Sequence, residues 1–221
     1  AVSKAKGKFI VTDTQTFSSS NLLNNYFNIF SNNINKNINA IKSKFKNVNQ
    51  INLELKKIKN KKVLIIGESI IDEYTFCEAL GKSGKEAVLN FKEIKTERYL
   101  GGSIAIANHL SSFCKEVKIL TFLGQDNKYF NYIKKKLPSN VIFTSFKKKN
   151  STTIVKKRLV ENIDKLKLIG IYNVDELEID NKETQLFLNL IKKNQSKYDL
   201  VLVADFNHGL LTKKISKYIS Y

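Results

Sequence analysis

Two cysteines, one proline and two arginines are all that this 221-residue chain holds of these types. Cys77 and Cys114 are too few for a disulfide framework and lack the spacing of a metal site; they fit reduced thiols. No apolar run approaches the roughly 20 residues that span a bilayer, and no signal-peptide pattern opens the chain. A cytoplasmic protein with no membrane partner is therefore expected. The arginine shortage bears on the net charge of +18, because of 38 basic residues only Arg98 and Arg158 are not lysine. Proteins that read bases or clamp phosphates favour arginine for its planar fork of donors. Abundant Lys and Asn throughout thus reads as a composition bias, and no specific nucleic-acid partner is expected. The same scarcity singles out the two arginines as positions where lysine does not substitute.

What is present suits one domain plus part of another: 42% hydrophobic residues, with fourteen Phe and nine Tyr to fill a core. Residues 1–32 include TFSSSNLLNNYF, where Ser18, Ser19 and Ser20 precede a helical pattern and suit an N-cap. Residues 33–60 carry apolar positions at helical spacing and read as a helical linker. From residue 61 the pattern alternates strand and helix. KKVLIIG, VKILTFL and DLVLVA are short β-branched runs of the kind buried in a parallel sheet. Helices are expected at 103–113, 127–136, 181–195 and from Thr212, with a further strand at 141–146. Residues 74–98 and 152–172 alternate apolar and polar, as two half-exposed hairpins would. The sum is an open, mostly parallel α/β sheet flanked by helices, with a small β lid on one edge.

Ligands of open α/β sheets bind at the carboxyl ends of the strands. Three runs there end in an aspartate: Asp72, Asp126 and Asp205. Singly, each reads first as the cap of a helix or turn; together they suit a hydroxyl-rich ligand, since a carboxylate accepts several hydrogen bonds. Gly101 and Gly102 stand before helix 103–113, where the absence of Cβ atoms lets a ligand approach the backbone. A tight turn would use them as well. Lys156 and Arg158 share one face of a strand and could hold a phosphate, or could form a solvated basic face.

These residues together resemble the PfkB, or ribokinase-like, carbohydrate kinases, and among them the heptose-phosphate kinase domain of bifunctional kinase/nucleotidyltransferase enzymes. GESIIDEY resembles the family's first strand and sugar-binding turn, with Asp72 on the sugar-binding aspartate. GKSGKEAVL resembles its lid segment, with Glu86 on the matching glutamate. ERYLGGSIAIAN resembles the first signature, LTFLGQD the Gly-x-Asp that follows, TTIVKKR the strand on the substrate's phosphate, and VADFNHGLLT the segment near phosphate transfer. The resemblance covers about residues 61–221 and implies substrate-binding roles for Asp72, Glu86, Gly101, Gly102, Asn108, Lys156, Arg158 and Asp205. It also implies ATP with Mg2+, a sugar or sugar-phosphate substrate and a homodimer through the lid. Three positions depart from the pattern: Ala105 replaces the signature's sugar-binding Asn, Asn108 falls one position off its second Asn, and Glu68 replaces the first aspartate of the turn. No Gly-Ala-Gly-Asp occurs up to Tyr221, so the expected catalytic base lies beyond this chain and the fold is expected to be truncated at its C-terminus. TFSSSNLLNNYF resembles the phosphate-binding motif near the end of HIGH-type nucleotidyltransferases, which implies nucleotide contacts at Ser18–Ser20. The alternative from another class is a non-catalytic sugar-binding or scaffolding protein on a ribokinase-like shell.

Overall fold

The computed structural model describes residues 31–175 and 177–220. Ser18, Ser19 and Ser20 lie outside the described residues. The chain divides into two compact units, Ala1–Leu53 and Glu54–Tyr221. Helix α1, Asn32–Lys44, belongs to the first, and helix α2, Val48–Ile58, crosses the division. The helical pattern expected over 33–60 is therefore interrupted, and the break has a local cause. Asn47 Oδ1 accepts the Gln50 N–H at 3.1 Å and Gln50 Oε1 accepts the Lys46 N–H at 2.7 Å, so Asn47 caps a new helix.

In the second unit β1 (Lys62–Gly67), β4 (Glu116–Gly124), β5 (Val141–Lys148) and β8 (Leu200–Ala204) form a parallel sheet in the order β5-β4-β1-β8. Val63, Leu64, Ile65 and Ile66 are all buried because both faces of β1 are covered, as its unbroken apolar run requires. On one face Leu64, Ile66 and Phe122 pack with Phe187 and Ile191 of α5 (Asn181–Gln195) and Ile215 of α6 (Lys213–Ile219). On the other, Val63, Ile65 and Ile119 pack with Ile104 of α3 (Gly102–Ser111) and Ile133 of α4 (Phe130–Lys136). Helix α5 occupies the span its sequence predicts, fixed by a capping box in which Asp180 and Glu183 each accept the other's backbone N–H. Cys77 and Cys114 are buried free thiols, and Cys77 Sγ donates to the Val160 carbonyl.

The lid is a second sheet, ordered β3-β2-β6-β7, from β2 (Ser69–Lys82), β3 (Leu89–Gly101), β6 (Ile154–Glu161) and β7 (Lys167–Asn173). The two expected hairpins are β2–β3 and β6–β7, and they join through a parallel β2–β6 pairing. The first begins earlier than its alternation suggests, since one residue, Glu68, separates β1 from β2. Ile70 and Ile71 enter the two cores and so read as buried sheet rather than as a half-exposed hairpin. The lid thus grows directly from the carboxyl edge of the parallel sheet, where ligands of such sheets bind. No helix among the described residues is long and apolar enough to cross a membrane.

Candidate functional site

Alternation along β2 sends Asp72 and Tyr74 to one face of the lid and Glu73 to the other. Asp72 lies opposite Lys156, and Tyr74 opposite Arg158, so all four share a face. Arg158 Nη1 donates to Asp72 Oδ1 at 2.6 Å, with about a fifth of the arginine side chain and a quarter of the aspartate exposed. The guanidinium also lies over Tyr74 and Tyr172, with centroid distances of 5.3 and 5.8 Å, and Lys156 Nζ lies 5.9 Å from the Tyr172 centroid. The hydrogen bond to Asp72 holds the arginine's pKa above its ordinary value. Only one edge of the fork faces Asp72; the remaining donors can meet an anion.

The glycine pair closes the root of this face. A side chain at Gly101 would overlap Asp72 Oδ2, so the aspartate carboxylate lies directly against the Gly101 backbone. Gly102 has φ +58°, and a Cβ there would collide with the Glu68 carbonyl. A Cβ at Gly102 thus meets fixed backbone, whereas one at Gly101 meets the tip of the Asp72 side chain. Asp72 itself sits within lid strand β2 rather than at the end of a parallel strand, which corrects that part of the strand-edge argument.

The other predicted residues are more dispersed. Asp126 and Asp205 do lie just beyond β4 and β8, and each accepts a turn N–H: Lys128 to Asp126 at 3.3 Å and Asn207 to Asp205 at 2.8 Å. Glu86 lies in the exposed turn between β2 and β3, ten residues or more along the strand from Asp72. Asn108 is exposed on α3 and lines a cleft of about 330 Å³ with Arg98, Tyr132 and Lys136. Ala105 lines the same cleft.

Sequence reading missed two charged residues. Glu68 is fully buried, and its carboxylate accepts the N–H groups of Phe206, His208 and Leu210. Its signal was present as a departure from the family's aspartate. Lys148 is 3% exposed at the end of β5 and pairs with Asp175 at 3.1 Å. One lysine in a lysine-rich run carried no signal. A cleft of about 740 Å³ between the sheet and α5–α6, lined by Ile66, Leu188, Ile191 and Tyr218, contains none of the predicted residues. The described residues hold no cluster of three or more His, Cys, Asp or Glu placed to bind a metal ion.

No family model matches the chain. It is 27% identical over 158 residues to the bifunctional protein HldE of Nitratiruptor sp., covering 71% of this chain and 33% of the relative. The bifunctional protein HldE of Helicobacter pylori is 28% identical over 165 residues, covering 72% of this chain and 34% of that protein. The chain thus spans about a third of the length of the curated relatives it matches. Among solved structures, Escherichia coli phosphofructokinase-2 in complex with fructose-6-phosphate shares the fold, with a TM-score of 0.52 and 11% identity over 73% of this chain and 50% of that one. With the ordered motifs and the lid growing from the sheet's carboxyl edge, the chain resembles the PfkB-type, ribokinase-like carbohydrate kinases in fold and is similar in sequence to bifunctional HldE proteins.

Proposed function

We propose that this chain supplies the sugar-binding side of an ATP-dependent kinase for a sugar phosphate of the heptose-phosphate type. The observation that carries the reading is the single lid face shared by Asp72, Lys156 and Arg158, with the Asp72 carboxylate against the Gly101 backbone. A carboxylate there accepts sugar hydroxyls, while a guanidinium and an ammonium meet a phosphate on the same molecule. Gly101 and Gly102 orient the ring, and Asp205 stands on the phosphoryl-transfer side. ATP would supply the phosphoryl group, with Mg2+ to offset the phosphate charge. In this reading residues 1–32 are the tail of a nucleotidyltransferase domain, residues 33–60 a linker and residues 61–221 the first two thirds of the kinase domain. The protein works in the cytoplasm, without a specific nucleic-acid partner, as a homodimer through the lid.

The second reading, a sugar-binding protein without catalysis, draws on Ala105, which offers no hydrogen bond where the family places an asparagine. Calorimetry with a heptose phosphate and the matching free heptose, followed by ATP turnover of the full-length protein, separates the two. Phosphate-dependent binding with turnover supports the kinase. Binding without turnover supports the shell, and no binding of either sugar refutes both.

A further inference from the structure

Glu68 is the one residue between β1 of the parallel sheet and β2 of the lid. Its side chain is fully buried, where an unpaired carboxylate would be costly. It is instead met by three backbone donors of one loop, Phe206 N–H on Oε2 at 3.0 Å and His208 and Leu210 N–H on Oε1, both at 3.3 Å. Its backbone is engaged as well. The Ser103 N–H donates to the Glu68 carbonyl at 2.8 Å, and Gly102 leaves the space that this contact needs. Three segments therefore converge on Glu68: the outward crossing into the lid, the return crossing at the glycine pair, and the loop that begins with Asp205. A carboxylate so fully engaged inside the protein is not a ligand group. Its consequence lies in what it holds.

We infer that Glu68 is a positioning residue that fixes the Asp205 loop to the root of the lid, so that the two sides of the site keep one geometry. The inference rests on the kinase reading, in which Asp72 and the glycine pair hold the acceptor while Asp205 stands on the transfer side. Phosphoryl transfer depends on attacking and leaving atoms held in line, and misplacement by 1 Å can cost about 100-fold. Length and charge both matter at this position. Aspartate draws the carboxylate back by one C–C bond, about 1.5 Å, while glutamine keeps the reach but turns an NH2 group toward backbone N–H donors.

The test uses the full-length protein with Glu68→Gln and Glu68→Asp, measuring ATP-dependent turnover of a heptose phosphate and amide hydrogen exchange at residues 206, 208 and 210. Glu68→Gln should speed exchange at these amides by about tenfold or more and lower kcat by about 100-fold. KM for the sugar phosphate should stay near its starting value, and Glu68→Asp should recover part of kcat. Unchanged exchange, or a loss confined to KM, would overturn the inference. If Glu68→Gln does not fold, Glu68→Asp decides the matter by the same kcat-against-KM split. A folded wild-type protein with no turnover refutes the kinase reading and the positioning role with it. In that same protein the exchange data still decide whether Glu68 anchors the loop.

Discussion

Arg158 is the residue on which the reading can be pressed hardest, because its bonds to the protein and to a ligand can be separated. Replacing it with alanine removes a charged hydrogen bond to Asp72, on the scale of about 1.5–3 kcal/mol when well buried. Two ring contacts, with Tyr74 and Tyr172, add about 0.5–1 kcal/mol each at exposed sites. The pair is only partly buried, with side chains 19% and 25% exposed, so solvent screening takes back part of the first term. A destabilisation of about 2–3 kcal/mol in a denaturant melt is expected, since clustered contributions do not add fully.

Affinity is a separate measurement. The Asp72 bond occupies Nη1, and the rest of the fork can grip a phosphate. Loss of that grip should weaken sugar-phosphate binding by about 1.5–3 kcal/mol, or about 10- to 150-fold in Kd. The unphosphorylated sugar should lose far less. Arg158→Lys serves as the control: it keeps the charge but not the bidentate edge, and should fall between the two. The assay is calorimetry with both sugars at a temperature well below each variant's melting point. Equal losses for the phosphorylated and free sugar would mean that Arg158 merely props up Asp72, and the phosphate assignment would fall.

Gly102→Ala forces a left-handed backbone and a collision with the Glu68 carbonyl, and should cost about 1–3 kcal/mol or more in a thermal or denaturant melt. Gly101→Ala meets the Asp72 side chain instead, so it should reduce sugar binding more than stability; a stability loss alone would remove Asp72 from the site. At Glu73, burial pushes the pKa up, but the Arg98 hydrogen bond and the charges of Arg98 and Lys157 outweigh it and hold the carboxyl below its ordinary value. A depressed folded-state pKa gives stability that is present above the unfolded value, about 4.3, and lost as pH falls through the folded one. Melts between pH 6 and 3 should show that loss, and Glu73→Gln should flatten it. Binding to random duplex DNA should be weak and should collapse by about 200 mM salt, because dispersed lysines offer only counterion release; tight sequence-selective binding at that salt would restore a nucleic-acid role.

Local signals carried much of the fold. β1 and β4 are legible because a parallel strand covered on both faces carries a near-continuous apolar run, and Asp180 with Glu183 announces α5 three residues apart. The break between α1 and α2 was legible too, in Asn47 and Gln50, but a longer apolar periodicity masked it. What could not be read are consequences of pairing between distant segments. That β2 lies beside β6 is set by contacts more than eighty residues apart, and that register alone brings Asp72 to Lys156 and Tyr74 to Arg158. The same holds for Glu68, whose three donors lie 138 to 142 residues away.

The two arginines show how far scarcity works as a signal. Adjacent carboxylates, Asp72 and Glu73, point to opposite faces of the lid, and each takes one of them. Arg98 Nε donates to Glu73 at 2.5 Å, and Lys157 approaches the same carboxylate at 3.4 Å. Glu73 is only 7% exposed, so a charge there without a partner would be expensive, and Arg98 has a sufficient structural reason to be retained. Arg158 meets a more open carboxylate, beside a glycine backbone and on the face shared with Lys156. Both positions suit a rigid fork better than lysine, but only one leaves its acceptor within reach of solvent. Scarcity thus identifies where a guanidinium is needed, and the burial of its partner separates a fold-holding arginine from one able to meet a ligand.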